Sequence, residues 1–225
     1  MFSRARLLGT AALLAATVFA APMARAQTDQ QVTVDGARKV LADLRHDKAF
    51  GNARELMRHA KAVFIVPKLI KGGFIVGGEG GEGVLMVQKR GGWSAPGFFA
   101  IGAASFGLQA GLQQSEMIML IMTQKGLDGV LRDNFKIGAQ AGISVVTLGS
   151  GVEGAMGGVS VPDVVVWSSS SGLYGGLTVD GSVIKSEPNQ DAAFYGRPVT
   201  SHGVLFGPEN SPRAAPLRRE LNSIG

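Results

Sequence analysis

The chain has 225 residues, with 22 lysines and arginines, 17 aspartates and glutamates, and no cysteine. The missing cysteines exclude disulfide frameworks, thiol nucleophiles, zinc–thiolate sites and iron–sulfur clusters. An apolar content of 45% supports a buried core, and the length predicts one domain, or at most two small ones. Glycine is the unusual component: 33 residues are about twice the average usage, without the Gly-X-Y period of collagen. This composition indicates a fold in which backbones approach one another closely at several positions.

Residues 1–26 have the pattern of a secretory signal peptide. Arg4 and Arg6 precede an uncharged stretch from Leu7 to Ala21, and Ala24-Arg25-Ala26 supplies a small-residue cleavage site. The apolar stretch is shorter than the roughly 20 residues that a membrane-spanning helix needs. We therefore expect a bacterial exported protein that is cleaved after Ala26 and is periplasmic.

The rest of the chain divides near its proline-rich end. Residues 27–207 carry the periodic apolar patterns and predict one domain. Residues 208–225 contain Pro208, Pro212 and Pro216, and predict a flexible C-terminal tail.

Two amphipathic helices are predicted at the start of this domain. The first has apolar residues at helical spacing from Val34 to Leu44. The second begins near Asn52, which forms a capping-box pattern with Glu55. Its apolar stripe consists of Ala53, Leu56, Met57 and Ala60, and its opposite face carries Arg54, Arg58 and Lys61.

After Ala62 the apolar period changes to two, which is typical of strands. Strands are predicted over Val63–Val66, Phe74–Gly78, Gly83–Lys89, 98–112, 117–122, Phe135–Leu148, Val164–Ser168 and Leu173–Lys185. Pro67 should end the first of these strands, residues 79–82 should form a hairpin turn, and Gly126–Asn134 should form a short helix. Helices followed by a run of strands predict the α+β class. We expect a curled, Gly-rich antiparallel sheet that could close like a barrel, with the two N-terminal helices packed on it.

Sequence motifs for catalysis or cofactor binding do not fit their required context. Gly78–Gly83 and Gly149–Gly154 both match G-x-G-x-x-G, but neither precedes the helix that binds a pyrophosphate. The three histidines lack metal-ligand spacing, and the chain has no G-x-S-x-G elbow. The sequence therefore predicts a protein that is not an enzyme, with no metal and no cofactor.

Positive charge is concentrated near the start of the domain. The segment from Asp35 to Lys71 carries nine basic and four acidic residues, a net charge of +5. Such a segment could be a solvated face, or it could contact anionic lipid head groups. Nucleic acid is not expected, because no base-stacking aromatic residues are interleaved with these charges.

Several short blocks, in order, resemble the SYLF domain family over roughly residues 34–207. These blocks are Lys68–Phe74, Gly83–Leu85, Trp93–Pro96, Gly107–Gly111, Asp163, Ser171–Leu177, Asp180–Ser182, Asn189 and Tyr195–Gly196. Members of that family bind membrane lipids, phosphoinositides in the eukaryotic members, and a yeast member binds actin. The resemblance places lipid contact in a basic segment at the N-terminal end of the domain. The lipid-binding residues that it implies here, chosen by charge, are Lys39, Arg54, Arg58, Lys61, Lys68 and Lys71.

The predicted export limits which ligands of the family this protein could meet. Actin and phosphoinositides are cytosolic ligands of the eukaryotic relatives, so phospholipid binding at an anionic membrane surface is the function expected here. The alternative is a non-catalytic structural or protein-interaction module of the cell envelope, whose protein partner is unknown. Trp93, Phe98 and Phe99 are expected in the core rather than in a membrane.

Overall fold

A computed structural model describes residues 29–47, 50–73, 76–106, 111–132, 135–137, 145–147, 162–169 and 181–224. The predicted signal peptide and the second G-x-G-x-x-G match lie outside the described residues. So do most of the predicted strand over Phe135–Leu148 and residues 173–180 of the last predicted strand.

The two predicted N-terminal helices are present. Helix α1 covers residues 29–45 and α2 covers Phe50–His59. Their predicted apolar positions are buried without exception, from Val34 to Leu44 on α1 and from Ala53 to Ala60 on α2. The helical spacing of apolar residues therefore identified the faces that pack on the sheet.

Nine strands among the described residues form the sheet. They are β1 (Ala62–Gly73), β2 (Val76–Lys89), β3 (Gly92–Trp93), β4 (Gly97–Phe106), β5 (Gly111–Ile121), β6 (Phe135–Lys136), β7 (Val145–Thr147), β8 (Val164–Ser168) and β9 (Val183–Ser186). Their order is β6-β9-β4-β2-β1-β5-β8-β7, with β3 paired to β2. Every described pair is antiparallel except β7 with β8, which is parallel.

The sheet is curled, because residues near its two edges share one apolar cluster. Phe135 of β6 and Val166 of β8 belong to the same buried cluster, together with Phe64 of the central strand β1. The opposite face of the sheet packs against α1, α2 and the C-terminal helix in a second cluster. The predicted α+β class and the curled, Gly-rich sheet are confirmed.

Four further helices and a 3-10 turn follow β5 in the described part of the chain. They are α3 (Gln124–Val130), α4 (Pro188–Tyr195), α5 (Ser201–Phe206), the 3-10 turn Pro212–Ala214 and α6 (Ala215–Ile224). Leu127 of α3 and Leu205 of α5 join the inner cluster of the curled sheet. These two helices therefore cover part of its inner face.

Two predictions about β1 and β2 are wrong. Pro67 does not end β1, which continues to Gly73, and residues 79–82 lie within β2 rather than in a turn. The reason is a bulge: Ile65 pairs with Val84 and Lys68 pairs with Glu82, so Val66 and Pro67 oppose the single Gly83. A bulge accommodates a proline that lacks an N–H group, and glycine in the facing strand permits the close approach of the backbones.

The predicted boundaries of the next elements also differ from those of the structure. The predicted strand over 98–112 ends at Phe106, and β5 already begins at Gly111 rather than at 117. Helix α3 ends at Val130 instead of Asn134. Apolar alternation identified these elements but not their ends.

The prediction of a flexible tail over 208–225 is wrong for residues 212–224. Residues 212–224 form the 3-10 turn and α6, and Leu217, Leu221 and Ile224 are buried in the cluster with α1 and α2. Pro212 and Pro216 lie at or near the starts of these helical segments, where a missing N–H group is tolerated. The prolines therefore mark the beginning of helical structure rather than its absence.

Candidate functional site

The six basic residues predicted from the sequence do not form one surface. Arg54 and Arg58 lie on α2, and Lys61 follows its end. Lys39 lies on α1, whereas Lys68 and Lys71 lie on β1 beyond the bulge. Ten residues of extended strand separate Lys61 from Lys71, a distance of roughly 30 Å. The structure therefore divides the predicted site into two groups.

Lys39, Lys68 and Lys71 are each close to an acidic residue. Lys39 forms ion pairs with Asp43, one helical turn away, and with Glu116 of β5, at 3.2 Å from Nζ to Oε1. The hydrogen bonds that Lys39 donates to Asp43 and Glu116 raise the pKa of Lys39. The Nζ atom of Lys71 lies 3.9 Å from Glu79 Oε2, and Lys68 is the strand partner of Glu82. Neighbouring carboxylates therefore neutralise much of the positive charge of these three lysines.

The carboxyl group of Glu79 on β2 is largely buried. Burial raises the pKa of this carboxyl group, and the charge of Lys71 opposes that shift. The pair with Lys71 therefore has a structural explanation, since it compensates a carboxylate that is largely removed from water.

The side chains around α2 are exposed and less fully compensated. Arg58 Nη1 lies 3.5 Å from Glu55 Oε2, and Glu55 also contacts His59. Arg54 Nε donates to the carbonyl oxygen of Ile224 at 3.3 Å, at the C-terminal end of α6, where a cation is favourable. Lys61 is exposed and has no acidic partner within the described ranges.

The end of β2 brings two further basic residues next to α2. The N–H group of Gln88 donates to the Lys61 carbonyl oxygen at 2.8 Å, and the Gln88 side chain donates to the Arg58 carbonyl oxygen at 3.4 Å. Lys89 ends β2, and Arg90 occupies the turn to β3 and is exposed. The sheet therefore places Lys89 and Arg90 at the same end as Arg58 and Lys61.

A third part of the chain adds Arg218. Lys89 Nζ donates to the Gly207 carbonyl oxygen at 2.9 Å, and Arg218 Nη1 donates to Asn210 Oδ1 at 2.7 Å. Both cations therefore hold the loop between α5 and the 3-10 turn. Burial, and after it the nearby charge of Arg218, lower the pKa of Lys89.

We call this end of the sheet the basic surface and define it by Arg58, Lys61, Lys89, Arg90 and Arg218. Two acids border it: Glu55, which is shared between Arg58 and His59, and Glu209, which forms an ion pair with Arg197. Sequence analysis identified Arg58 and Lys61 but missed the other three. No local pattern marks them, because they are separated from α2 by up to about 160 residues and meet it only in the folded chain.

One buried carboxyl group, that of Asp191, serves the fold. Asp191 is completely buried and accepts hydrogen bonds of 2.8 Å from the Phe98 N–H group and the Ser201 hydroxyl group. Burial raises the pKa of this carboxyl group to about 6. The carboxyl group thus connects α4 with β4 and α5. Among the described residues, no cluster of His, Asp and Glu is suited to hold a metal ion.

Trp93, Phe98 and Phe99 are buried, as expected from the sequence. Within the described ranges, none of the helices has the length and apolar content needed to cross a membrane.

The fold and site define an α+β module with a curled sheet and a cationic end. The chain belongs to the Ysc84 family, described as Las17-binding protein actin regulators, whose family model matches residues 102–224. This family assignment confirms the resemblance to the SYLF domain, and the matched range includes α6.

Several curated proteins are similar in sequence to this chain over most of its length. LAS seventeen-binding protein 3 of Saccharomyces cerevisiae is 30% identical over 199 residues, which cover 83% of this chain and 43% of the relative. Protein YSC84 of the same species is 31% identical over 175 residues, 75% of this chain and 37% of the relative. The SH3 domain-containing YSC84-like protein 1 of Homo sapiens is 27% identical over 158 residues, 69% of this chain and 45% of the relative. The chain thus spans less than half the length of these relatives.

Proposed function

We propose that this chain is a non-catalytic module that binds anionic phospholipid membranes through the basic surface. The observation that supports this function is the convergence of five cations from α2, the β2–β3 turn and α6 at one end of the sheet. Each lysine or arginine near an anionic membrane contributes about 1 kcal/mol of attraction, so five of them suffice for measurable binding.

The proposed location is the periplasm, at the membrane surface. It is supported by the signal-peptide pattern of residues 1–26 and its cleavage site at Ala26. Phospholipid surfaces are available to an exported protein, whereas actin is not. Membrane binding is therefore the function most compatible with both the surface and the sequence.

A protein-interaction module is the second candidate. The family description and the name of LAS seventeen-binding protein 3 both refer to the binding of Las17 by those proteins. In this chain, the corresponding activity would be the capture of a protein partner with no requirement for lipid.

Sedimentation with vesicles tests the proposal. The purified protein is mixed with phosphatidylcholine vesicles that contain increasing fractions of phosphatidylglycerol, and the bound fraction is measured at several salt concentrations. We expect binding to increase with the anionic fraction and to weaken with salt, because exposed charges are screened over about 8 Å at physiological ionic strength. Binding that depends on neither the anionic fraction nor the salt concentration would contradict the proposal.

Two variants with equal losses of charge locate the contact. Arg58→Gln, Lys61→Gln and Arg90→Gln together remove three charges from the basic surface, and should weaken binding more than a hundredfold at about 1 kcal/mol each. Lys39→Gln, Lys68→Gln and Lys185→Gln together remove three charges that lie near acids, and should weaken binding much less. A larger loss in the second variant would move the membrane contact away from the basic surface and toward Lys39 and Lys68.

A further inference from the structure

An exposed aromatic ring lies beside the basic surface. Three large apolar side chains of the described residues are exposed: Val32, Ile70 and Phe206, the last with 43% of its surface accessible. Phe206 ends α5, and the carbonyl oxygen of the following residue, Gly207, accepts the hydrogen bond of Lys89. Phe206 is thus the exposed aromatic residue that borders the cationic end of the sheet.

The fold holds α5 so that this ring stays outside the core. Val204 and Leu205 are fully buried, and Leu205 belongs to the inner cluster of the sheet. The Thr200 hydroxyl group accepts a hydrogen bond from the Gly203 N–H group at 3.1 Å and caps the start of the helix. The His202 ring lies 4.8 Å from the Phe206 ring, measured between centroids. The position of Phe206 is therefore fixed by its own helix.

Gly207 keeps the ring and the cation together. A Cβ atom at Gly207 would overlap with the Gly203 carbonyl oxygen, so the chain leaves α5 in a tight path that a side chain would obstruct. The same residue receives the Lys89 ammonium group at 2.9 Å. The Lys89 ammonium group is therefore bound to the residue that directly follows the exposed ring of Phe206.

An exposed aromatic ring next to cations is suited to bind a lipid bilayer at the boundary between its head groups and its acyl chains. Aromatic rings are favoured at that depth, and neighbouring lysines and arginines contact the phosphates above it. We propose that Phe206 inserts into an anionic phospholipid bilayer while Lys89 and Arg90 contact its head groups. This inference rests on the proposed membrane binding and adds an apolar anchor to it.

Ile70 provides a matched control. It is 37% exposed, but it lies on β1 between Lys68 and Lys71, roughly 30 Å along the strand from Lys61. Truncating Ile70 removes a similar exposed apolar surface from the other end of the sheet. An effect of Phe206 that Ile70 does not share is therefore specific to the basic surface.

The first experiment compares Phe206→Ala with Ile70→Ala in sedimentation with vesicles of phosphatidylcholine and phosphatidylglycerol. Loss of the exposed half of a phenylalanine ring should weaken binding about tenfold to fortyfold. Ile70→Ala should bind like the unaltered protein. Equal binding by the unaltered protein and Phe206→Ala would overturn the inference and leave the basic surface intact, whereas failure of the unaltered protein to bind would overturn both proposals.

The second experiment detects insertion directly and keeps the aromatic ring. Phe206→Trp places a fluorophore at the site, while Trp93 and Trp167 are 7% and 6% exposed and should respond little to vesicles. We expect the emission of Phe206→Trp to shift to shorter wavelength on addition of anionic vesicles, and to be quenched by brominated acyl chains. Binding of this variant without shift or quenching would show that the ring stays in water, which would overturn the inference.

Discussion

Gly83 of β2 faces the carbonyl oxygen of Ile65 across the ladder with β1. A Cβ atom at Gly83 would overlap with that oxygen, and it would also lie 3.0 Å from Cε2 of Phe64. Gly83 stands opposite the bulge at Val66 and Pro67, so the bent part of β1 comes closest to β2 at this point. The close pairing of β1 and β2 at this bulge thus depends on a missing side chain.

Replacing Gly83 should therefore destabilise the fold. Gly83→Ala should lower the free energy of unfolding by about 2–3 kcal/mol, because the obstructing oxygen belongs to the backbone and cannot rotate away. Urea unfolding measures the change. Gly78→Ala in the same strand is the control: its nearest neighbour would lie 3.7 Å away, an ordinary contact, so it should change stability by less than about 0.5 kcal/mol. Equal effects of the two substitutions would contradict the bulge explanation.

Helix α1 crosses β1 at a second close contact. A Cβ atom at Gly36 would lie 2.8 Å from Cβ of Pro67, whose ring cannot rotate away. Gly36→Ala should lower the thermal midpoint, although alanine favours helix by about 1 kcal/mol over glycine. Gly51→Ala in α2 meets nothing within 4 Å and should raise it. An increase in both variants would show that α1 can move away from Pro67 without cost.

Asp191 should make stability depend on pH. Its pKa in the folded protein is about 6, compared with 3.8 for the unperturbed group, so the folded state binds the proton more tightly. Its contribution to stability is fully present below about pH 4 and is lost as the pH rises through 6, a change of about 3 kcal/mol. Asp191→Asn can still accept the hydrogen bond from Phe98, so it should remove this dependence between pH 4 and 7 without unfolding the protein. Unfolding curves with the same pH dependence in both proteins would contradict this assignment.

Helix α6 should contribute strongly to the stability of the domain. Leu221 is buried in the cluster shared with α1 and α2, so Leu221→Ala should cost about 2–5 kcal/mol. Arg219 is exposed on the same helix, and Arg219→Ala should change stability by less than about 0.5 kcal/mol. Guanidinium unfolding of the two variants compares them, and a small effect of Leu221→Ala would restore the expectation of a loose C-terminal tail.

Periodicity alone predicted α1 and α2 and their buried faces, because apolar residues at helical spacing can be buried together only on one side of a helix. The same reasoning missed α6, although Leu217, Leu221 and Ile224 have this spacing. Pro212 and Pro216 indicate a break, and only the folded chain shows that they lie near the starts of helical segments.

The sequence by itself determined the class of fold, the family and the presence of positive charge near α2. These properties follow from local patterns, since the order of periodic segments and the types of residue can be read directly from the amino-acid sequence. The tertiary structure decided which charges act together. It separated Lys68 and Lys71, which lie next to acids of β2, from Lys61, and it brought Lys89, Arg218 and Phe206 to the same end of the sheet. The pairing of β2 with β1 brings Lys89 beside Lys61, and the docking of α5 and α6 adds Phe206 and Arg218 from more than 100 positions away. These contacts arise only in the folded chain, because no local sequence pattern specifies which segments pack together.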